Sequence, residues 1–96
     1  MENSYDIFDT TLIDKLVLLQ RQQKNLDEGD ELKFKADLVF FVNFLNSQLR
    51  KDLTEADELD IVKYKDFIRE DYTFKDIIDR RLNSAKIALK LLKQIQ

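Results

Sequence analysis

The chain has 96 residues and a formal net charge of −3, and 44% of its residues are hydrophobic while 36% are charged. This balance predicts one folded domain over residues 1–96, because disordered chains are poorer in apolar residues. One Gly and no Pro argue against an all-β fold, and the absence of Cys and His excludes disulfides, thiolate chemistry and histidine catalysis.

A first helix is predicted from about Asp9 or Thr11 to Lys24. Asp9 is expected to cap it, with Phe8 packing against Ile13 as a hydrophobic staple. Apolar residues at spacings of three and four define its core face: Tyr5, Phe8, Leu12, Leu16 and Leu19. Residues 25–30 hold the only Gly and are predicted as a loop, in which Asp30 caps the next helix.

Helix two is predicted from about Glu31 to Arg50. Its core stripe consists of Phe34, Leu38, Phe41, Val42, Leu45 and Leu49. Residues 32–38 also alternate between apolar and polar, as a strand would, but the helical period that follows favours a helix. Phe40 and Phe44 lie off the stripe. Either this helix is surrounded by the others, or the two phenylalanines form a dimer or partner surface.

Two capping patterns divide the rest of the chain. Residues 54–57, Thr-Glu-Ala-Asp, resemble a capping box and predict helix three, which ends near Glu70. Its core face consists of Ile61, Tyr64, Phe67 and Ile68. Residues 73–76 repeat the pattern, with Tyr72 and Ile77 at the staple positions, and predict helix four from Phe74 to about Ile95. A kinked continuous helix is the alternative. The sequence thus predicts an all-α fold, a small antiparallel bundle of three to four helices.

The last helix carries a charge opposite to that of the rest of the chain. Residues 75–96 contain six basic and two acidic residues, whereas residues 1–74 contain ten basic and seventeen acidic ones. Its apolar face consists of Ile78, Leu82, Ala85, Leu89 and Leu92. Lys86, Lys90 and Lys93 line a side turned away from that face. Packing into the bundle is the first expectation, and the alternatives are binding to an anionic membrane, an acidic partner protein or phosphates.

Arg81 falls near the middle of the apolar face of the last helix. A charge in such a place must be paired or must face water. A structural ion pair is the first interpretation, and a contact across an interface is the second, since Arg is enriched at interfaces. Arg80 lies off the face and is expected to be exposed.

No residues form a recognisable catalytic or metal-binding pattern. The acidic loop 27–31 fails the EF-hand pattern, because aligning its glycine puts Lys24 at the first ligand position. Asp37, Asp60 and Asp66 are expected on polar faces, and the three serines have no histidine to activate them. We therefore predict no cofactor, no metal and no enzymatic activity.

The leading hypothesis is a small cytoplasmic, non-catalytic protein–protein interaction module that acts through helical surfaces. It would serve as an adaptor, an inhibitor, a chaperone-like protein or an assembly subunit. Its expected partners are another protein, itself or both, and a homo-oligomer such as a homodimer is predicted. The candidate contact residues are Phe40, Phe44, Arg81, Lys86, Lys90 and Lys93. The alternative is a nucleic-acid-associated regulator that uses the basic last helix, which the acidic total charge disfavours. The longest apolar run, residues 38–42, predicts no transmembrane segment.

Overall fold

Four α-helices make up most of residues 11–71 and 74–95, the part of the chain that the computed structural model describes. They are α1, Thr11–Lys24; α2, Glu28–Phe44; α3, Glu58–Asp71; and α4, Lys75–Ile95. A π-helical turn, Leu45–Leu49, continues α2, and a 3-10 turn, Leu53–Glu55, precedes α3. The prediction of a small all-α bundle is confirmed, in its four-helix form. Residues 32–38 are helical, so the strand alternative is wrong.

The connection between α1 and α2 is shorter than predicted. The backbone of Asn25 is left-handed, with φ of 53°, and its N–H donates to the carbonyl of Arg21 at 2.8 Å. Asp27 caps α2, since its Oδ1 accepts a hydrogen bond from the N–H of Asp30 at 2.8 Å. The prediction that Asp30 is the cap is therefore wrong. Gly29 lies in the first turn of α2 and not in the connection. The left-handed residue of the connection is Asn25, since asparagine tolerates this backbone conformation.

The end of α2 is a π-helical turn that closes on a left-handed arginine. Arg50 has φ of 55°, and its N–H donates to the carbonyl of Leu45. The N–H of Lys51 donates to the same carbonyl at 3.0 Å. The hydroxyl of Ser47 donates to the carbonyl of Asn43 at 2.7 Å, a bond to the preceding turn that often accompanies helix distortion. Helical structure thus ends within a residue of the predicted position, without the glycine that commonly terminates helices.

The capping box of α3 lies three residues later than predicted. Thr54, predicted as the cap, lies in the 3-10 turn, and α3 begins at Glu58. Asp57 is the actual cap, and its Oδ1 accepts from the N–H of Asp60 at 3.1 Å. In return the N–H of Asp57 donates to Oδ2 of Asp60 at 3.0 Å. Two acids thereby satisfy each other's backbone donors at the start of the helix.

An aromatic cluster joins α2 to α3. The ring of Tyr64 lies 4.9 Å from that of Phe41 and 5.1 Å from that of Phe44, measured between centroids. Phe44 also contacts Phe67, at 4.9 Å. All three pairs are tilted, and such pairs contribute about 0.5–1.5 kcal/mol each beyond the burial of their area. Since α2 also packs against α1 and α4, it is surrounded by the other helices.

The core faces of all four helices agree with the predicted stripes only in part. On α2 the off-stripe Phe44 is buried and Leu49 is half-buried, and on α3 Phe67 is half-buried. On α1 the buried apolar residues are Ile13, Leu16 and Val17, whereas the predicted Leu12 and Leu19 are half-buried. On α4 the buried face is wider than predicted and includes Leu91. This width follows from position, because α4 packs against all three other helices. The residues predicted to begin α1 and to cap α4 lie outside the described residues: Tyr5, Phe8, Asp9, Tyr72 and Thr73.

Two substitutions of opposite chemistry are expected to stabilise the fold. Gly29→Ala raises helix propensity in the first turn of α2, where an added Cβ meets only Oδ1 of Asp27, at 3.5 Å. Arg50→Gly removes a side chain from left-handed backbone. Each change should raise the free energy of unfolding by about 0.5–1 kcal/mol, as measured by urea denaturation.

Arg50→Ala is the matched control for the second change. It removes the same charge but keeps the Cβ that makes left-handed backbone unfavourable. If Arg50→Ala stabilises the protein as much as Arg50→Gly, the left-handed backbone at this position is not the cause of the gain.

Candidate interaction surface

An open groove of about 980 Å³ lies between the first half of α3 and the second half of α4. Leu59 and Val62 of α3 form its apolar edge. Lys86, Lys90 and Lys93 of α4 line it from the other side. Buried side chains from both helices reach its floor: Ile61, Leu89 and Leu92. The groove therefore combines an apolar wall, an apolar floor and a basic wall.

The apolar wall was not predicted. Leu59 is 60% exposed and Val62 is 57% exposed, and their spacing of three puts them on neighbouring positions of one helix surface. Single exposed apolar side chains are ordinary on a protein surface. Two that share a groove with a buried apolar floor form a continuous apolar patch. The prediction for the faces of α3 concerned its core stripe, and that stripe does not include these two residues.

The basic wall consists of the three lysines that the sequence singled out. Lys86, Lys90 and Lys93 are all exposed, as expected of a side turned away from the core. None of the three forms an ion pair with a side chain among residues 11–71 and 74–95. The acids that line the groove are Asp57 and Glu58, at the start of α3. The α4 side of the groove is therefore a strip of uncompensated positive charge.

Phe40 and Phe44 both have neighbours within the bundle. Phe44 is only 4% exposed, inside the aromatic cluster. The guanidinium carbon of Arg81 lies 3.9 Å from the centroid of the half-buried Phe40 ring, a cation–π contact. Of the two alternatives left by the sequence, these contacts favour a central helix two over a phenylalanine-based interface. An ion pair or an interface contact made by Arg81 stays a prediction.

A buried carboxylate links α2 to α4, where none was predicted. Asp37, predicted on a polar face, has a side chain only 1% exposed. Its Oδ1 accepts from Nη2 of Arg80 at 2.9 Å, and its Oδ2 accepts from Nε of Arg80 at 3.1 Å and from the hydroxyl of Ser84 at 2.8 Å. These hydrogen bonds raise the pKa of Arg80 above its ordinary value. The prediction for Asp37 is wrong, whereas Arg80 is exposed, as predicted.

A second buried carboxylate fixes the start of α3. Asp60 was also predicted on a polar face, but it is fully buried, and that prediction is wrong. Nζ of Lys51 lies 3.1 and 3.0 Å from its two oxygens. The hydrogen bond to Asp60 is the main cause that raises the pKa of Lys51 above its ordinary value. Because Asp60 also bonds the backbone of Asp57, it ties the segment after α2 to the helix that forms the apolar wall. Asp66 is exposed, as predicted.

Neither metal chemistry nor likeness to known proteins points to another site. Within residues 11–71 and 74–95, no group of three or more acidic side chains could hold a metal ion. No protein-family model, curated protein or solved structure gives a significant match to the chain. Among the helices described, none is both long enough and apolar enough to cross a membrane. The groove and its charges are therefore the features of the described residues that bear on function.

Arg80→Met is expected to lower the free energy of unfolding by about 3 kcal/mol, because it leaves the buried carboxylate of Asp37 without a charged partner. Adding Asp37→Leu should recover most of this loss, since an apolar pair can replace a buried ion pair at little cost. Urea denaturation would measure both effects. Arg69→Met, at an exposed position of α3, is the matched control and should change stability little. If the double variant is no more stable than Arg80→Met, the loss of stability does not come from the unpaired carboxylate of Asp37.

Lys51→Arg is expected to protect the protein against alkaline unfolding. The pKa of Lys51 is raised in the folded state, so its contribution is complete below the ordinary lysine value of 10.5 and is lost as pH rises through the folded value. Arginine keeps its charge over this range. The urea concentration at the midpoint of unfolding should therefore fall less for the variant than for the wild type between about pH 9.5 and pH 12.

Lys65→Arg makes the same replacement at an exposed position of α3 and controls for the general effect of arginine. Equal protection by both variants would show that the pair with Asp60 is not responsible.

Proposed function

We propose that this protein is a small non-catalytic protein–protein interaction module that binds a partner in the groove between α3 and α4. One observation carries the proposal, namely that the apolar wall of Leu59 and Val62 faces a groove with an apolar floor. Covering such a patch removes apolar surface from water, which is the main favourable term in most protein association. An adaptor, an inhibitor, a chaperone-like protein or an assembly subunit would each use such a surface.

The chemistry of the buried polar groups supports a non-catalytic role. Asp37 and Asp60 are the buried carboxylates among the residues described, and each is held by a cation and by further hydrogen bonds. Neither lines the groove. Their contacts account for them as structural groups, and the chain has no His or Cys to supply another general base or nucleophile.

A partner protein fits this surface better than a second copy bound through helix two. Self-association through helix two was predicted from Phe40 and Phe44, and both have neighbours within the bundle. The absence of cysteine agrees with a reducing compartment, so we place the interaction in the cytoplasm.

Leu59→Ser combined with Val62→Ser should abolish capture of the partner while leaving the fold intact, because both side chains are exposed. The measurement is an affinity pull-down from the native cell with immobilised protein, read by quantitative mass spectrometry. At least one protein retained by the wild type should fall by about tenfold or more on the double variant, as expected when central apolar contacts are lost.

Leu32→Ser is the matched control, since Leu32 is 62% exposed on α2 and lies outside the groove. It should retain the same proteins as the wild type. If the wild type, the Leu59→Ser and Val62→Ser variant and the Leu32→Ser control all retain the same proteins equally, the proposal that this groove binds a protein is refuted. Light scattering of the purified chain would show whether a captured partner is a second copy.

A nucleic-acid-associated role is the second candidate, and the unpaired lysine strip is what favours it. If all three lysines contacted phosphates of duplex DNA, the logarithm of affinity would fall with the logarithm of salt with a slope of about −2.7. Binding of this kind would be lost when the lysines are neutralised and would survive Leu59→Ser with Val62→Ser. That pattern separates the two functions.

A further inference from the structure

The two walls of the groove differ in a way that restricts what can bind there. Apolar side chains lie on α3 and exposed lysines lie on α4, and the buried floor runs between them. A ligand that satisfies both walls must be apolar along one side and negatively charged along the adjacent side. An amphipathic helix with acidic residues beside its apolar face has this arrangement.

The spacing of the lysines matches the repeat of a helix lying alongside. Lys86, Lys90 and Lys93 are separated by four and three residues, so they follow one edge of α4 over about two turns, or roughly 10 Å. A partner helix running alongside α4 would present acids at the same heights if they recur at spacings of three and four. Each lysine could then meet one carboxylate.

Resting on the proposed function, we infer that the groove binds an acidic amphipathic helix of a partner protein, with its apolar face on Leu59 and Val62 and its acids on the lysine strip. Charge complementarity selects this occupant. The three lysines lack ion-pair partners among the described residues, and carboxylates supply the missing charge in a geometry that a helix can hold.

Polyanions fit the same groove less well. A nucleic acid would use the lysines but would place phosphates near Glu58 and would leave the apolar wall without a counterpart. An anionic membrane would need α4 to present an apolar face to lipid, and that face is buried in the bundle through Leu82, Leu89 and Leu92. A helix of a protein meets both walls without unfolding this chain.

The test uses three synthetic helical peptides, stapled to hold their conformation, with the same leucines at spacings of three and four. Their flanking residues are glutamates in the first, glutamines in the second and lysines in the third. Binding to the full chain is measured by fluorescence anisotropy at low salt. The glutamate peptide should bind roughly tenfold more tightly than the glutamine peptide, as expected from three exposed ion pairs.

Variants of the protein locate the two contributions. Lys86→Gln, Lys90→Gln and Lys93→Gln together should abolish the preference for glutamate and leave the affinity of the glutamine peptide unchanged. Leu59→Ser with Val62→Ser should weaken both peptides. The matched control for total charge is Lys15→Gln, Lys33→Gln and Lys65→Gln, at exposed positions outside the groove, and it should keep the preference.

Several outcomes would overturn the inference. They are no binding of the glutamate peptide, no preference for it over the glutamine peptide, tighter binding of the lysine peptide, or tighter binding of a duplex DNA that depends on the three lysines. A chain that dimerises through the groove, with dimerisation lost in Leu59→Ser with Val62→Ser, would identify a second copy as the occupant.

These failures are distinguishable from failure of the proposed function. The Leu59→Ser and Val62→Ser variant could weaken both the glutamate and the glutamine peptide while glutamate gives no advantage on the wild type. In that case the groove is still a protein-binding site, and its partner has another charge. If that variant changes neither peptide binding nor the proteins captured from the cell, the proposed function itself fails.

Discussion

The buried carboxylate of Asp37 fixes how α4 lies on α2, and the candidate interaction surface depends on that placement. An isolated charge inside a protein is so unfavourable that it must be paired and hydrogen-bonded. Asp37 meets this condition through Arg80 and Ser84, which are four residues apart and share one side of α4. Rotating α4 by one residue would break the pairing. The pair thus selects one rotation of α4, with Lys86, Lys90 and Lys93 on the side facing solvent.

The apolar wall depends on the second buried carboxylate in the same way. Asp60 holds Lys51 and the backbone of Asp57, so it determines where α3 begins. The register of α3 then places Tyr64 against the aromatic rings of α2 and Leu59 and Val62 toward the groove. Each wall of the groove is therefore positioned by one buried acid. Such pairs add little net stability compared with apolar packing, so we interpret them here as contacts that specify one arrangement.

The fold was predictable because apolar residues recur with the period of a helix. Its key contacts were hard to predict because they depend on single polar residues. The core stripes of α2 and α3 follow from apolar residues at spacings of three and four, which burial enforces. Asp37 and Asp60 were misplaced because acids are usually exposed. A signal was present, since Asp37 is three residues after Phe34 and four before Phe41, on the same helix face. The left-handed end at Arg50 carried no such signal, because glycine or asparagine is the usual residue there.

The groove could be anticipated only on its basic side. The lysine strip follows from the sequence of α4 alone, whereas the apolar wall requires knowing which face of α3 packs against the aromatic cluster. The two sides also contribute differently to binding. Two exposed apolar side chains and a narrow floor form a small patch, which suits a transient contact more than a permanent one. Exposed lysines add association rate and selectivity more than affinity, and salt screens them. For the proposed helical partner, a surface of this composition favours rapid binding and release, with the charge on the helix as the source of selectivity.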